Sequence, residues 1–382
     1  MYPNKILLIP LIGIILLVVY ISVPWTSSSI PLSITQHELW PFALERAWSS
    51  VFRYERPLDP FLANLMESGL LKLKDHQVEY QMTRPSKENV CDGVDAVVYI
   101  MTMLTTDDTE RRKVMRKLLF DKANLPSNHN VIHRYVVGRY PANRTYQQNL
   151  IDEMKAHDDI IFVNYEEVYG KNYIKWHAMH EWHMKHCPQA KTFIKIDDDT
   201  AIYLKRTFQW LDRDFGGIIK NTTEYFVCNA FSTDSPPIRD VDSKWFVSYE
   251  QLDKNFVRYC SGPAVITTNE TVAKLIKTQE KVRFEPVDDA FYTGIVREEA
   301  GVGLYGFHGI DNPGNGCSND GLPFYISKHY GPGRKKPQAR GPARPVTGPA
   351  RLSISIFEAG RPVWAGPGQP GPLTTPGLLI FH

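Results

Sequence analysis

Residues 192–200 read Thr192-Phe193-Ile194-Lys195-Ile196-Asp197-Asp198-Asp199-Thr200, a short apolar run that ends on three consecutive carboxylates. The run Thr192 to Ile196 has the length and composition of a buried strand. Adjacent carboxylates repel one another, so the triplet costs folding free energy unless a cation sits among them, and hard oxygens are what Mg²⁺ or Mn²⁺ prefers. The end of a sheet strand is also where α/β folds bind their ligands. A solvated acidic turn is the plainer explanation of an Asp triplet, and the buried strand leading into it tips the balance toward a metal site.

Outward from this point, short apolar runs alternate with helix-period segments, which indicates an α/β sheet flanked by helices. The strands expected are Ala96 to Met101, Val131 to Val137, Ile160 to Val163, Thr192 to Ile196, Tyr225 to Ala230 and Ala264 to Thr267. The helices expected are Glu110 to Asp121, Tyr146 to His157, Tyr173 to His186, Asn269 to Gln279 and Asp289 to Glu299. A second acidic site, Glu285-Pro-Val-Asp288-Asp289-Ala-Phe-Tyr-Thr-Gly294, opens the last of these. Carboxylates at a helix start are favoured by the free amides and the macrodipole. Beside a metal-binding triplet, one of them becomes a candidate general base.

Four histidines three apart, His177, His180, His183 and His186, invite a metal reading. Steps of three drift around a helix by about 60° each, so the four cannot face one ion, and a partly exposed helix is expected instead. Arg111, Arg112 and Arg116 follow the first strand and suit either ion pairs with surface acids or a diphosphate.

The ends differ from the middle. Ile6 to Val23 is an uncharged apolar run of eighteen residues, about 27 Å as a helix, which matches a membrane span. Lys5 precedes it and no Lys or Arg follows before Arg46, so the positive-inside rule leaves 1–5 cytosolic and everything past the anchor at 6–23 lumenal. The sequons at Asn143, Asn221 and Asn269 agree with that side. Proline-rich residues 24–90 read as a stem and 91–330 as the catalytic domain. From 331 to 382, 19 of 52 residues are Pro or Gly, a fraction at which a disordered tail is expected.

The chain has 382 residues, 43% of them hydrophobic, enough for a large core, and a net charge of only +2, which gives no global basic field for nucleic acid. Five cysteines without a C-x-x-C pair argue against structural zinc and leave disulfides possible in an oxidising compartment.

Lys175 with Trp182, Cys187-Pro188 and Ala190-Lys191, then Lys195-Ile-Asp197-Asp198-Asp199, Lys244-Trp245-Phe-Val-Ser248, Tyr259-Cys260-Ser261-Gly262, and Asp288-Asp289 with Gly294 fall in a characteristic order. Over about residues 91 to 305 the chain closely resembles the β-1,3-glycosyltransferases that move galactose or N-acetylglucosamine. The resemblance implies a type II Golgi membrane protein with a lumenal GT-A domain, a central mixed sheet flanked by helices. It implies an inverting hexosyltransferase that uses a UDP-sugar donor, Mn²⁺ (or Mg²⁺), and a glycan acceptor on protein or lipid. It further implies that Asp197 and Asp199 hold the ion, with His308 as a third ligand. Arg112, Arg116, Lys195 and Asp198 would bind donor, and Trp245, Tyr259 and Gly262 would lie on the acceptor side. Asp289, or its neighbour Asp288, would be the base. Two departures stand out: the arginine motif continues as Lys117-Leu-Leu rather than x-T-W, and Gly294 lies five rather than four residues after Asp289. The rivals are a non-catalytic lectin-like or chaperone relative, and a phosphoryl or nucleotidyl transferase, for which no P-loop is present.

Overall fold

A computed structural model describes residues 58–140, 145–220, 222–311 and 316–330. The expected anchor at 6–23, the tail at 331–382, Asn143 and Asn221 lie outside the described residues. Among the described residues no helix is long and apolar enough to cross a membrane.

The first elements among the described residues are a short helix, α1 (Pro60–Leu65), and a hairpin of β1 (Met66–Lys72) and β2 (Gln77–Thr83). There follow β3 (Ala96–Met101), α2 (Thr106–Leu118), β4 (Val131–Arg139), α3 (Tyr146–His157), β5 (Ile160–Glu166), α4 (Asn172–His186), β6 (Thr192–Asp197) and β7 (Thr200–Ile202). Then come α5 (Leu204–Leu211), β8 (Tyr225–Ala230), β9 (Cys260–Thr268), α6 (Asn269–Thr278), a last helix α7 that begins at Asp288, β10 (Gly303–Gly306) and β11 (Ser327–His329). The central sheet has nine strands in the order β1-β2-β5-β4-β3-β6-β9-β8-β10. Strands β5, β4, β3 and β6 run parallel, and β9 is antiparallel to both β6 and β8, so the sheet is mixed.

A parallel strand in mid-sheet is covered on both faces, which is why β3 reads as a continuous apolar run. In β3 all six residues are buried. Val97, Tyr99 and Met101 join one core with Trp176, Phe193 and Tyr292, while Ala96, Val98 and Ile100 join the core on the other face with Leu150, Ile194 and Phe208. That alternation decides which way β6 points its side chains: Lys195 and Asp197 share the face of Phe193, toward α4 and α7.

Two expectations are corrected. The stem expected over 24–90 does not extend that far, because α1, β1 and β2 belong to the fold: Leu62, Leu71 and Met82 are fully buried, and β1–β2 adds two strands at the sheet edge. Within it the chain turns from helix to strand at Met66, where Tyr80, Met82 and their neighbours supply a pairing partner. The histidine-rich helix α4 is a core helix rather than a partly exposed one; His177, His180 and His183 are at most 1% exposed, packed among Tyr80, Tyr99, Phe193 and Tyr292.

Candidate active site

The Asp triplet falls at the carboxyl end of β6, in the middle of the sheet. Lys195, two residues earlier on the same face as Asp197, is 2% exposed. Its ammonium donates to the Gly262 carbonyl at 2.8 Å, lies 2.7 Å from Asp197 Oδ1 and 3.9 Å from Asp289 Oδ1, and sits over the Trp176 ring at 5.1 Å. Burial lowers its pKa, but Asp197, Asp289 and Asp288 more than offset this, so it stays a cation. Lys195 therefore joins the triplet to the second acidic site, 92 residues away in sequence.

That site opens α7, which runs as α-helix over Asp288–Ala290, as π-helix over Phe291–Val296 and as α-helix again over Arg297–Glu299. Asp288 is 4% exposed and accepts a hydrogen bond from Trp176 Nε1 at 3.0 Å. Asp289 keeps 23% of its side chain exposed, and its carboxyl lies directly over Gly262. A Cβ at 262 would come within 2.1 Å of Asp289 Oδ2, so only glycine leaves room for it. Burial, and then the charge of Asp288, push the Asp289 carboxyl well above the usual carboxylate range. The extra residue before Gly294 coincides with the π-turn, which holds one residue more per hydrogen-bonded ring than an α-turn. Here a Cβ at 294 would lie only 3.1 Å from Tyr259 Cβ and 3.2 Å from Val257, and Cys260 N donates to Thr293 Oγ1 at 2.9 Å.

On the other side of the triplet, Asp198 accepts from Thr102 Oγ1 at 2.7 Å and from Arg111 Nη1 at 3.0 Å. Its pKa is pushed up to about 6, mainly by burial, with Asp108 and Asp199 adding to it. Asp199 Oδ1 is buried without a hydrogen-bond partner among the described residues, while Oδ2 lies 3.2 Å from His329 Nε2. Burial raises the Asp199 pKa, but His329 and Arg111 more than offset it. The histidine arrives because β11 pairs antiparallel with β7, setting His329 opposite Thr200. His308, expected as a third ligand, packs its ring against Phe324 and Phe307 at 4.4 and 5.3 Å, whereas the imidazole beside Asp199 is that of His329. An orphaned carboxylate oxygen beside an imidazole is a donor set that Mn²⁺ or Mg²⁺ accepts, so these residues fit the ion. Among the described residues no three His, Cys, Asp or Glu side chains already form a cage.

The arginines sort differently from expectation. Arg112 is fully buried, donating to both Glu153 oxygens at 2.8 and 2.7 Å and to the Met103 carbonyl. Arg116 pairs with Asp159 at 2.7 and 2.8 Å. Both tie α2 to the segment around α3, with Glu153 and Asp159 as their carboxylate partners. Arg111, 44% exposed and bonded to Asp198, is the arginine at the site. Lys175 is buried, 2.6 Å from both Glu167 Oε1 and the Thr102 carbonyl, and so supports the strand end that holds Thr102.

Tyr259 packs against Phe231 and Phe256 beside the acidic site, and Trp245 is exposed, donating through Nε1 to Tyr169 Oη at 2.6 Å. Asn269 begins α6 and its side-chain amide donates to the Pro188 carbonyl, so the nitrogen a glycan would join is engaged in the fold. Two disulfides close, Cys91–Cys187 and Cys228–Cys260, and Cys317 is free and exposed.

With this geometry in place, the comparison with known sequences is direct: the profile described as galactosyltransferase matches residues 110–307, just over half of the chain. The chain belongs to the galactosyltransferase family. It is 23% identical over 217 residues to lactosylceramide 1,3-N-acetyl-beta-D-glucosaminyltransferase of Rattus norvegicus, covering 56% of each chain. It is 22% identical over 228 residues to the Homo sapiens protein of that name, covering 58% of this chain and 59% of that one. With beta-1,3-galactosyltransferase 5 of Gorilla gorilla gorilla it shares 27% identity over 157 residues, 41% of this chain and 50% of the other. The chain thus spans about half the length of the curated relatives it matches. Within this galactosyltransferase-family chain, the triplet, Lys195, Gly262 and Asp289 all fall inside the matched region, whereas His329 falls beyond it.

Proposed function

We propose that this galactosyltransferase-family protein is an inverting, metal-dependent β-1,3-glycosyltransferase of the GT-A type, moving a hexose or N-acetylhexosamine from a UDP-sugar to a glycan hydroxyl. We further propose a single-pass type II protein of the Golgi membrane with this domain in the lumen. The observation that carries the reading is the link at Lys195: one buried ammonium touches Asp197 of the triplet and faces Asp289, so the two acidic sites form one continuous site. Asp199 and His329, with Asp197, would hold the divalent ion, and diphosphate oxygens would complete its ligands. When bound, the ion offsets negative charge on the departing diphosphate.

The chain's own residues do the rest. Arg111 and Thr102 hold Asp198 still and so fix the turn that carries Asp199. Asp289, poised over Gly262 with an elevated proton affinity, takes the proton of the acceptor hydroxyl as that oxygen attacks the anomeric carbon from the face opposite UDP. Lys195 keeps Asp289 oriented and balances the charge of the pair. An inactive lectin-like relative would have little use for a carboxyl of raised proton affinity beside an acidic strand end. The test is a donor screen of the full chain with Mn²⁺ against UDP-galactose, UDP-N-acetylglucosamine and UDP-N-acetylgalactosamine, using simple β-glycosides as acceptors. Transfer from one donor, abolished by chelator and by Asp199→Asn, is expected; full activity of Asp199→Asn in metal-free buffer would remove the ion from the mechanism.

A further inference from the structure

We infer that Arg134 and Arg84 hold a small monovalent anion, one ion of the size of chloride, in a cavity none of whose lining residues belongs to the acidic site. The inference does not depend on the transferase reading. Arg134 lies on β4 and is only 7% exposed, with its guanidinium over the ring of Trp182, from α4, at 5.5 Å. Among the described residues it makes one hydrogen bond, from Nη1 to the His133 carbonyl at 2.8 Å, and pairs with no carboxylate. Arginine keeps its proton at any ordinary pH, so this is a buried charge without a counter-charge. Taking such a charge out of water costs far more than an aromatic face returns.

The acids that act on it through space, Asp158 and Asp159, are committed elsewhere. Asp158 accepts from Ser86 Oγ at 2.6 Å, and Asp159 accepts from Arg116 Nε at 2.7 Å and lies 3.0 Å from His133 Nε2. A second cation, Arg84, lines the same cavity, and its one hydrogen bond among the described residues runs to the Asn64 carbonyl at 3.4 Å. Phe61, Leu65, Met154, Ile160 and Trp182 supply apolar walls. The space between them is about 20 Å³, enough for one water or one ion of that size and too small for phosphate or sulfate. Two guanidinium groups against one engaged carboxylate leave the cavity net positive, and of the two occupants only an anion offsets that charge. The lining comes from α1, the stretch after β2, the end of α3, β5 and α4, so the ion fastens the β1–β2 edge of the fold to the main sheet.

The test is thermal unfolding of the full chain in sodium chloride and in sodium gluconate at one ionic strength, since gluconate is too large to enter. Chloride at about ten times its dissociation constant favours the folded state about elevenfold, which should raise the Tm by about 3–6 °C. Arg134→Leu removes the charge that needs the ion, so its Tm should be the same in both salts and no lower than that of the wild type in gluconate. Arg84→Ala changes an exposed residue, should fold as the wild type does, and should weaken chloride about 2- to 5-fold, the worth of a partly exposed ion pair. Equal Tm values for the wild type in the two salts, a chloride effect that persists in Arg134→Leu, or undiminished affinity in Arg84→Ala would each overturn the site. Should Arg134→Leu not fold, bromide decides: wild-type crystals soaked in sodium bromide should show an anomalous peak in contact with the Arg134 guanidinium, and its absence would overturn the inference.

Discussion

At the residue scale the two carboxylates that open α7 are set apart by their partners. Asp288 is buried and receives the indole N–H of Trp176, while Asp289 is partly open and hangs over Gly262. Asp289→Asn retains the volume but cannot accept a proton, so turnover should fall by about 10² to 10⁴ while UDP and metal binding survive, as read by kinetics and titration calorimetry. Asp288→Asn still offers an oxygen to Trp176 and should keep turnover within about tenfold; the reverse ranking would move the base to Asp288. Gly262→Ala drives a methyl into the space of the Asp289 carboxyl. A displacement of about 1 Å at a reacting group costs on the order of 10²-fold in rate, so this variant should fold, by circular dichroism, and turn over at least about a hundredfold more slowly. Gly262 was assigned to the acceptor side from its motif; its contact with Asp289 depends on β9 lying beside β6, which no local pattern reports.

At the element scale, α4 shows how a polar-looking helix becomes core. Tyr80 Oη lies 2.8 Å from His177 Nδ1, Tyr99 Oη lies 3.0 Å from His183 Nδ1, and His183 Nε2 lies 3.1 Å from the Ala190 carbonyl. Burial pushes the pKa of His177 and of His183 down to about 4. Unfolded histidine titrates near 6.5, so between pH 6.5 and about 4 the unfolded chain binds protons that the fold refuses. Stability should be complete above pH 6.5 and fall as the pH drops toward 4, by about 1.4 kcal/mol per pH unit for each such histidine. A Tm that stays level from pH 7 to 4.5 would contradict this. The helix itself was legible as Tyr173 to His186, because its period is local; its burial was not, because the aromatic partners come from β2, β3, β6 and α7.

At the scale of the whole molecule, the fold starts well before residue 91. Removing residues up to 90 strips Leu62, Leu65, Leu71, Leu73, Tyr80 and Met82 from the two cores. At about 1.5–3 kcal/mol for each buried side chain, the loss is on the order of 10 kcal/mol or more, comparable with the whole stability of a domain. A chain starting at 91 should therefore be insoluble or molten, whereas one spanning 58–330 should melt cooperatively near the full-length Tm; a cooperative transition for 91–330 would show the hairpin to be dispensable. The sequence by itself determined where β3, β4 and β6 lie, since each is a short run dominated by apolar residues, and it determined the acidic strand end and the acidic helix start, since charge clustering is visible in a few residues. Tertiary structure alone decided that Lys195 joins those two sites, that Arg111 rather than Arg112 or Arg116 meets the triplet, and that His329 rather than His308 stands beside Asp199. Each depends on strands far apart in the chain pairing in one register, β11 on β7 and β9 on β6, and register is set by the packing of the whole sheet rather than by the residues nearest the site.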